Sequence, residues 1–461
     1  LGAAGTERRH DEAGLVVEAV ADRRRPPLTP RRSSNERSAR RGVHVDHLLG
    51  RRHRVGLGRV RRVPLLPQEL SAPQKGRRVL ELPAHHVAPL VHEDGQVAVP
   101  LHPLGELRVP DMTRRVHGFM DDREIKTKRR AAFVLDGFRE FQTKCMSRNI
   151  RFTFSMSYSK NRKPHHLSLT YRACVVVTDE AFVKPHLDTM NSISKASPCL
   201  TLAVDTSCIL PVYLVKKSCI SRAYKFQAAT GDKRKKRASV MYPKLPVLQN
   251  SFESLCPEPF LDLSKTDNEE LLSRLELSDV SIISHTIGGE MNAKMRWQEF
   301  LSNGIKHYHK KRNNPLAPYG VSRMSAYLNL GMISPFTMAN DVMKLTGGGV
   351  EKFIDEFFKW REMSYAVCFH NPHYMNIRRM LPSWAYATLS QHLQDPRPNF
   401  TLKELEQSQT DSRLWNICQQ SLTKNGELHN NLRMTWGKNL ILWRIDGNAS
   451  VQHFYNTFTT L

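Results

Sequence analysis

A segment near the carboxyl end of the chain, residues 426–438, combines an apolar stripe with a polar face that could bind a ligand. His429, Asn430 and Arg433 lie within four residues of one another, which makes them neighbours on a helix surface. Apolar residues recur at helical spacing on the other side; they are Leu428, Leu432, Trp436, Leu440 and Trp443. Two interpretations are open: the polar face contacts water, or its imidazole, amide and guanidinium groups hold a ligand.

A second segment, residues 319–335, contains hydroxyl groups that could bind an anion. Ser322 and Ser325 stand where the pattern predicts the start of a helix, and Arg323 lies between them. Hydroxyls, free N–H groups and a guanidinium at the positive end of a helix dipole suit a phosphate or a pyrophosphate. Serines at helix starts also serve as plain N-caps, so this interpretation is open as well.

Other site chemistries find less support in the sequence. Cys368, His370 and His373 form a Cys-x-His-x-x-His group, but no second ligand pair accompanies it, so we predict no metal site. The eight cysteines include no Cys-x-x-Cys pair. This argues against a disulfide framework or a zinc ribbon and favours a reducing compartment. No Gly-x-Gly-x-x-Gly follows a predicted strand, which leaves a dinucleotide site of the usual kind unsupported.

The chain is long and strongly basic. Its 461 residues allow two or three domains, each able to bury a core. The formal net charge of +25 indicates an acidic partner, and nucleic acid is the commonest one. No apolar run of about 18 residues exists, so we expect no transmembrane helix and no membrane partner.

The first 118 residues differ in composition from the rest. They contain 21 Arg against one Lys and no Ile, Phe, Tyr, Trp or Cys. Such a segment cannot build a packed core, so we predict disorder. Its Arg pairs could coat a phosphate backbone or belong to a transit peptide, and a non-native reading frame is a third interpretation. The segment accounts for +9 of the +25, which leaves +16 for the other 343 residues.

Strands alternate with helices from residue 119 to 225, which predicts an α/β domain with a mostly parallel sheet. The periodic segments are 131–147, 150–154, 173–178, 181–193 and 200–204. Residues 226–289 are predicted to be a basic and polar connector. The cationic run 233–237 within it is either a nuclear import signal or a solvated linker.

Helical periodicity and the tryptophans predict an all-α domain over residues 290–461. Ser334 precedes Pro335 as an N-cap should, and Asp411 is placed to cap a helix that begins at Ser412. The predicted helices are 295–312, 322–330, 335–345, 350–369, 383–393, 412–422 and 428–443.

Three segments of this domain resemble, in order and approximate spacing, motifs of the photolyase/cryptochrome family of flavoproteins. Residues 322–334 (Ser-Arg-Met-Ser, then Gly-Met-Ile-Ser) resemble the family's Ser-x-Leu-Ser…Gly-x-Ile/Leu-Ser segment. Residues 355–362 resemble the helix that carries Trp-Arg-Glu, and residues 411–434 are similar to the block that ends in Gly-x-x-His-Asn-Arg-x-Arg-Met. Residues 433–438 lean toward class II photolyases. Residues 204–212 resemble the Val-Asp-x-x-x-Ile-x-Pro-Val passage that leaves the antenna domain.

The resemblance, which covers residues 124 to 461, implies a fold and a function. The fold would be an α/β antenna-like domain with a parallel sheet, followed by an all-α FAD-binding domain. The activity would be that of a deoxyribodipyrimidine photolyase, a carbon–carbon lyase that repairs pyrimidine dimers in DNA by electron transfer from photoexcited reduced flavin. The cofactor would be FAD and the partner DNA that contains a pyrimidine dimer, while the antenna chromophore is undetermined.

The resemblance also implies roles for particular residues. Those implied to bind the cofactor are Tyr308, Ser322, Arg323, Met324, Ser325, Arg361, His429, Asn430 and Arg433. Glu356 and Trp360 would line the lesion cavity and act in catalysis together with Asn430. A relay of electrons to the flavin would use Trp384, Trp415, Trp436 and Trp443.

Some positions depart from the family pattern and keep two further functions open. Asn431 stands where many members have Arg, and Glu427 where repair enzymes often carry Trp. The family's Asp-x-x-x…Asn segment is not found before Leu461, so we expect an incomplete FAD-binding domain. The alternatives are a cryptochrome-like blue-light photoreceptor without repair activity and a flavin-free basic protein that binds nucleic acid. We expect an intracellular protein, in the nucleus or in a plastid.

Overall fold

The computed structural model describes residues 115–240 and 260–443, apart from residues 172, 174 and 185. All of them belong to one compact unit. The predictions for the Arg-rich segment therefore lie outside the described residues, except at its last four positions. These four begin the first strand, β1 (Arg115–Asp121), which crosses the boundary that composition places at residue 118.

Four strands form two parallel pairs in the part of the chain that the structure describes. β1 pairs with β2 (Arg151–Ser157), and β3 (Val175–Asp179) pairs with β4 (Leu200–Val204). A parallel pair needs a crossover connection, usually helical. The crossovers here are α1 (Lys128–Met146) and, between β3 and β4, α3 (His186–Ala196); α2 (His165–Thr170) precedes β3. The prediction of parallel strands is confirmed, and β4 begins and ends where the sequence pattern places it.

The described residues from 223 onward are mainly helical, and from residue 290 onward this is what the sequence predicts. In chain order the helices are α4 (Ala223–Ala238), α5 (Asn268–Ser273), α6 (Glu290–Asn303), α7 (Tyr308–Lys311), α8 (Ser325–Asn329), α9 (Pro335–Met343), α10 (Gly348–Ile354), α11 (Glu362–His370), α12 (Ile377–Met380), α13 (Ser383–Gln391), α14 (Leu402–Glu406), α15 (Arg413–Asn425) and α16 (Asn430–Trp443). A π-helical turn, Asp355–Arg361, joins α10 to α11. Such turns are frequent at functional sites. None of the described helices is long and apolar enough to span a bilayer.

Separate apolar cores hold these elements together. The largest lies among α6 to α10 and includes the buried Trp297, Phe300 and Phe353. Another lies between α1 and the β1–β2 pair. A third joins α14, α15 and α16 around Leu405, Trp415 and Trp436. Because burial of apolar area is the main favourable term in folding, these cores fix the loops between the helices where the polar residues lie.

The predicted polar connector, residues 226–289, is wrong at α4 and α5, whereas residues 276–289 form no helix or strand. α4 continues through the cationic run to Ala238, and Arg234 within the run is buried. Phe226, Thr230 and Arg234 stand four residues apart, so the run conceals one buried stripe behind its exposed lysines. Beyond the undescribed residues 241–259, Leu263 enters the core against α1.

The predicted helix ends are confirmed in one case and corrected in others. Ser334 caps α9 by accepting from Phe336 N, with Pro335 at the first helical position. Ser412, and not Asp411, caps α15, because its hydroxyl accepts from Trp415 N at 3.3 Å. The π turn interrupts the predicted helix 350–369, and α16 begins at Asn430, so His429 precedes it.

Candidate functional site

Arg312, which directly follows α7, connects the π turn to the end of α7. Its Nη2 lies 2.9 Å from Glu356 Oε1, and its guanidinium lies 5.7 Å from the centre of the Tyr308 ring. Lys352 Nζ lies 2.8 Å from the same carboxylate oxygen. Two cations therefore hold the half-buried carboxylate of Glu356 in place.

The start of α16 contacts this same region. Asn431 Nδ2 donates to the carbonyl oxygen of Asn313 at 3.4 Å, and Asn431 N donates to His429 Nδ1 at 3.2 Å. Burial, together with the charges of Arg312 and Arg433, lowers the pKa of His429. The imidazole is consequently neutral at pH 7, with Nδ1 as acceptor and Nε2 carrying the proton.

An ion pair attaches the serine-rich segment to the loop before α16. Arg323 Nη2 lies 3.0 Å from Glu427 Oε2, and Arg323 adopts a left-handed backbone conformation with φ of 55°. The other carboxylate oxygen of Glu427 faces His285 Nε2 at 3.8 Å. Residues 322–334 thus contact the loop before α16, and residues 355–362 are linked to the start of α16 by way of Arg312 and Asn313.

The two serines of the predicted anion site leave their hydroxyls available. Ser325 is the exposed first residue of α8, Ser322 is half-buried, and neither hydroxyl bonds to a described residue. Met324 between them is buried in the largest core and anchors the segment. α8 has only five residues, so its dipole is small and positive charge at this position comes mainly from Arg323.

The remaining implied cofactor and lesion residues occupy different environments. Tyr308 packs in the core against Phe300 and Phe353. Trp360 shares the π turn with Glu356, is 46% exposed, and has Lys359 Nζ at 5.2 Å from its ring. Asn430 is exposed, and its Nδ2 lies 3.9 Å from Met434 Sδ. Their roles stay predictions.

Three of the four tryptophans of the implied relay lie together. Trp415 stacks on Trp436 with ring centres 4.1 Å apart, and Trp443 lies 5.2 Å from Trp415. Trp384 on α13 is 72% exposed and makes no ring contact with the other three among the described residues. The three clustered rings also form the core of α14 to α16, a packing role that needs no electron transfer.

Sequence reasoning missed a buried carboxyl group in the Trp-Arg-Glu motif. Glu362 Oε1 accepts from Ile209 N at 2.6 Å, and Oε2 accepts from Leu210 N at 3.4 Å. Burial raises the pKa of Glu362 to about 7, against the opposing effects of these N–H groups and of Arg234 and Arg361. Glu362 therefore holds the passage after β4 onto the helical part of the chain.

The passage itself, residues 204–212, is a tight turn organised by Asp205. Its carboxylate accepts from the backbone N–H groups of Ser207, Cys208 and Val212 at 2.9 to 3.0 Å. Arg361 Nη1 donates to Ser207 O at 2.6 Å, and its guanidinium lies over the rings of Phe357 and Tyr365. Two motifs about 150 residues apart in sequence therefore form one contact. In this structure Arg361 makes that contact, and its implied cofactor role stays a prediction.

Arg312 is the other residue that sequence reasoning did not single out. It lies four residues after Tyr308, so helical spacing already made the two neighbours. Its contact with Glu356 spans 44 positions and follows no periodicity in the sequence.

Comparison of the sequence with known proteins finds similarity to photo-lyases. A deoxyribodipyrimidine photo-lyase from Methanothermobacter thermautotrophicus is 27% identical over 334 residues, which cover 71% of this chain and 70% of that protein. The deoxyribodipyrimidine photo-lyase of Arabidopsis thaliana is 32% identical over 148 residues, which cover 31% of this chain and 30% of the relative. No family model matches the chain.

A solved structure supports the same fold. The cryptochrome of Synechocystis sp. PCC6803 superposes with a TM-score of 0.54 at 14% identity, covering 77% of this chain and 78% of that one. The parallel strand pairs followed by helices are thus shared with this cryptochrome. The chain is similar in sequence to photo-lyases and in fold to a cryptochrome.

Proposed function

We propose that this chain is an FAD-dependent DNA photolyase that repairs pyrimidine dimers in light. One observation carries the proposal: residues 322–334 pair with the loop before α16 through Arg323–Glu427, and Glu356 of residues 355–362 pairs with Arg312, whose neighbour Asn313 accepts from Asn431 at the start of α16. The matched relatives named above are photo-lyases. Within this proposal the α/β part is the antenna-like domain and the helices from α6 onward form the FAD-binding domain.

Polar groups at this place fit a bound flavin nucleotide. Arg312 Nε is buried and makes no hydrogen bond with a described residue. Buried polar atoms normally have partners, so a ligand with an acceptor oxygen or nitrogen would satisfy it. The free hydroxyls of Ser322 and Ser325 add two donors beside the guanidinium of Arg323. FAD, once bound, would supply the light absorption and the electron for repair.

The chain's own residues would then position the reactants. Ser322, Arg323 and Ser325 bind the phosphates, while Asn430 and Arg433 orient the flavin end of the cofactor. The neutral His429 donates from Nε2. Glu356, held by Arg312 and Lys352, presents its carboxylate at a defined position beside the lesion cavity. The exposed ring of Trp360 is available to contact an extruded base.

DNA is the proposed partner, and charge supports it. The residues after position 118 carry a net +16, which favours approach to a phosphate backbone. Extruding a dimer from the duplex requires cations around the cavity to hold the flanking strands. The nucleus or a plastid stays the predicted compartment.

The cofactor assignment is tested by the flavin content of purified protein. The S322A/S325A variant should retain at least tenfold less flavin after gel filtration, because two hydrogen bonds to charged oxygens contribute about 1.5–3 kcal/mol each. S168A/S390A, which removes two serine hydroxyls elsewhere, serves as the matched control. Unchanged flavin content in S322A/S325A would refute the phosphate assignment.

The activity is tested separately by illumination. Reduced, flavin-loaded protein should convert a dimer-containing oligonucleotide to its repaired form in blue light and leave it unchanged in darkness. A flavin-loaded protein that leaves the dimer intact in light would contradict repair and favour a photoreceptor.

A further inference from the structure

The exposed surface of α4 and the turn before it is densely cationic. This surface, named here the α4 basic surface, consists of the exposed side chains Lys216, Lys217, Arg222, Lys225, Lys233, Lys235 and Lys236. Asp232 is the single exposed acidic residue of α4. Among the described residues none of the seven cations forms an ion pair, although Lys352 and Lys359 at the candidate site do. The charge of this surface is therefore not neutralised within the described part of the protein.

Contacts on its buried face hold α4, which carries Lys225, Lys233, Lys235 and Lys236 of this surface, firmly in place. Phe226, Thr230 and Ala238 are buried, and the guanidinium of Arg234 bonds to Phe358 O and, at 2.8 Å, to Gln227 Oε1. Arg237 Nε donates to Ile209 O at 2.7 Å. Because the inner face is fixed by these contacts, the outer face presents its lysines from a folded helix and not from a flexible tail.

The geometry points to the sugar–phosphate backbone of duplex DNA as the partner: we infer that the α4 basic surface binds undamaged duplex without sequence preference. Sixteen helical residues extend about 24 Å. Successive phosphates of one strand advance about 3.4 Å along the duplex axis, so a helix of this length can follow several of them. Lysines act as point charges suited to such backbone contacts, which carry no base readout.

An anionic membrane fits this surface less well. A helix that lies in a bilayer interface inserts an apolar face. The apolar face of α4 is already packed against Phe182, Leu210 and Ala366, so what it exposes is mainly charge. Tyr224, which is 70% exposed, is the one large apolar side chain of α4 on that side.

This inference goes beyond the proposed function, because it requires neither flavin nor a lesion. α4 contacts the π turn through Phe358, whereas the candidate site uses Glu356 of the same turn. The α4 basic surface would hold undamaged duplex next to the repair site and so increase the time the protein spends on DNA.

The test compares full-chain K233Q/K235Q/K236Q with wild type in fluorescence-anisotropy titrations of an undamaged duplex at several salt concentrations. We expect at least tenfold weaker binding at 0.1 M salt and a salt slope reduced by about 0.9 for each lost phosphate contact. K160Q/K163Q/K195Q, which removes the same charge from exposed positions in the α/β part, should leave the slope near that of wild type. Equal changes in both variants, or no change in the first, would overturn the inference.

Two further readouts separate this inference from the proposed function. Flavin content should be the same in K233Q/K235Q/K236Q and wild type, so a failure of the cofactor assignment leaves this test intact. In mass spectrometry after acetylation, duplex DNA should protect Lys233, Lys235 and Lys236 and leave Lys160 reactive. If the three lysines stay fully reactive with DNA bound, or if only vesicles with anionic lipids protect them, duplex DNA is not the partner of this surface.

Discussion

At the residue scale, Glu362 illustrates how far the surroundings of a side chain decide its chemistry. In water a glutamic acid is ionised at neutral pH. Here burial raises its pKa to about 7, even though two backbone N–H groups donate to it and two arginines lie near. The desolvation of the charged form outweighs these attractions. A residue of the same type, Glu356, is half-exposed and ion-paired, so the two glutamates of one motif differ in role.

The raised pKa predicts a pH-dependent stability. Because the pKa of Glu362 is about 7 in the folded chain and 4.5 when unfolded, its contribution is fully present below pH 4.5 and is lost as pH rises through 7. The E362Q variant, which is neutral at every pH, should lose about 3 kcal/mol less unfolding free energy than wild type between pH 4.5 and pH 8. Urea unfolding at both pH values measures this. If the unfolding free energies of E362Q and wild type change equally with pH, the raised pKa of Glu362 is contradicted.

At the scale of elements, the end of α15 sets the position of the loop that enters α16. Gly426 ends the helix in a left-handed conformation with φ of 68°, and its N–H donates to Leu422 O at 3.0 Å. A Cβ on Gly426 would meet Ile283 Cδ1, the end of a flexible side chain that would have to shift. Glycine is therefore favoured here mainly by the backbone conformation.

Alanine at Gly426 should lower the unfolding free energy more than alanine at a glycine whose only constraint is a left-handed backbone. G426A should lower the unfolding free energy by somewhat more than the roughly 1 kcal/mol that left-handed backbone costs, because the Ile283 side chain must also move. Gly331 has a similar φ of 67° with no atom within 4 Å of a Cβ, so G331A is the matched control and should cost about 1 kcal/mol. Equal losses in chemical denaturation would show that the contact with Ile283 relaxes freely.

At the scale of the whole described unit, α1 contacts the end of α15, just before the loop that enters α16. Arg129 Nη1 donates to Leu422 O at 3.0 Å, Nη2 donates to Thr423 O at 2.7 Å, and Nε donates to Ser281 O at 2.9 Å. The α/β part thereby supports the segment on which His429 and Asn430 stand. The placement of the candidate site consequently depends on residues nearly 300 positions away.

Removing this support should destabilise the chain. R129M removes the charged donor of three carbonyl groups, one buried and two partly buried, so we expect a loss of about 2–4 kcal/mol in unfolding free energy. K128M, at the neighbouring exposed lysine, should change it by less than about 1 kcal/mol. If R129M unfolds at the same urea concentration as K128M, the three bonds do not support the fold.

Cofactor binding should also be visible in the stability of the whole protein. FAD present at 100 times its dissociation constant should raise the unfolding free energy by about 2.7 kcal/mol, because it binds the folded state alone. Thermal unfolding of flavin-depleted protein with and without added FAD measures the effect, and S322A/S325A at the same FAD concentration should show a smaller one. No shift for wild type at saturating FAD would argue against the flavin site.

The sequence by itself determined the local structure and the family. The spacing of apolar residues predicted α1, β4 and α16 closely, and Ser334 with Pro335 marked a helix start, because such features depend on neighbours a few positions apart. The motif segments pointed to the photolyase/cryptochrome family for the same reason: their residues are contiguous.

Only the tertiary structure decided which groups meet and which are buried. The pairs Arg312–Glu356 and Arg323–Glu427 join segments 44 and 104 residues apart, and the burial of Glu362 and Arg234 depends on how α4, the π turn and the passage after β4 pack. A linker is the wrong prediction for the lysine-rich run of α4. The charged residues describe only the exposed face of this helix, and the buried stripe lies behind them. Desolvation and long-range pairing depend on the packed arrangement of distant segments, and no local pattern records them.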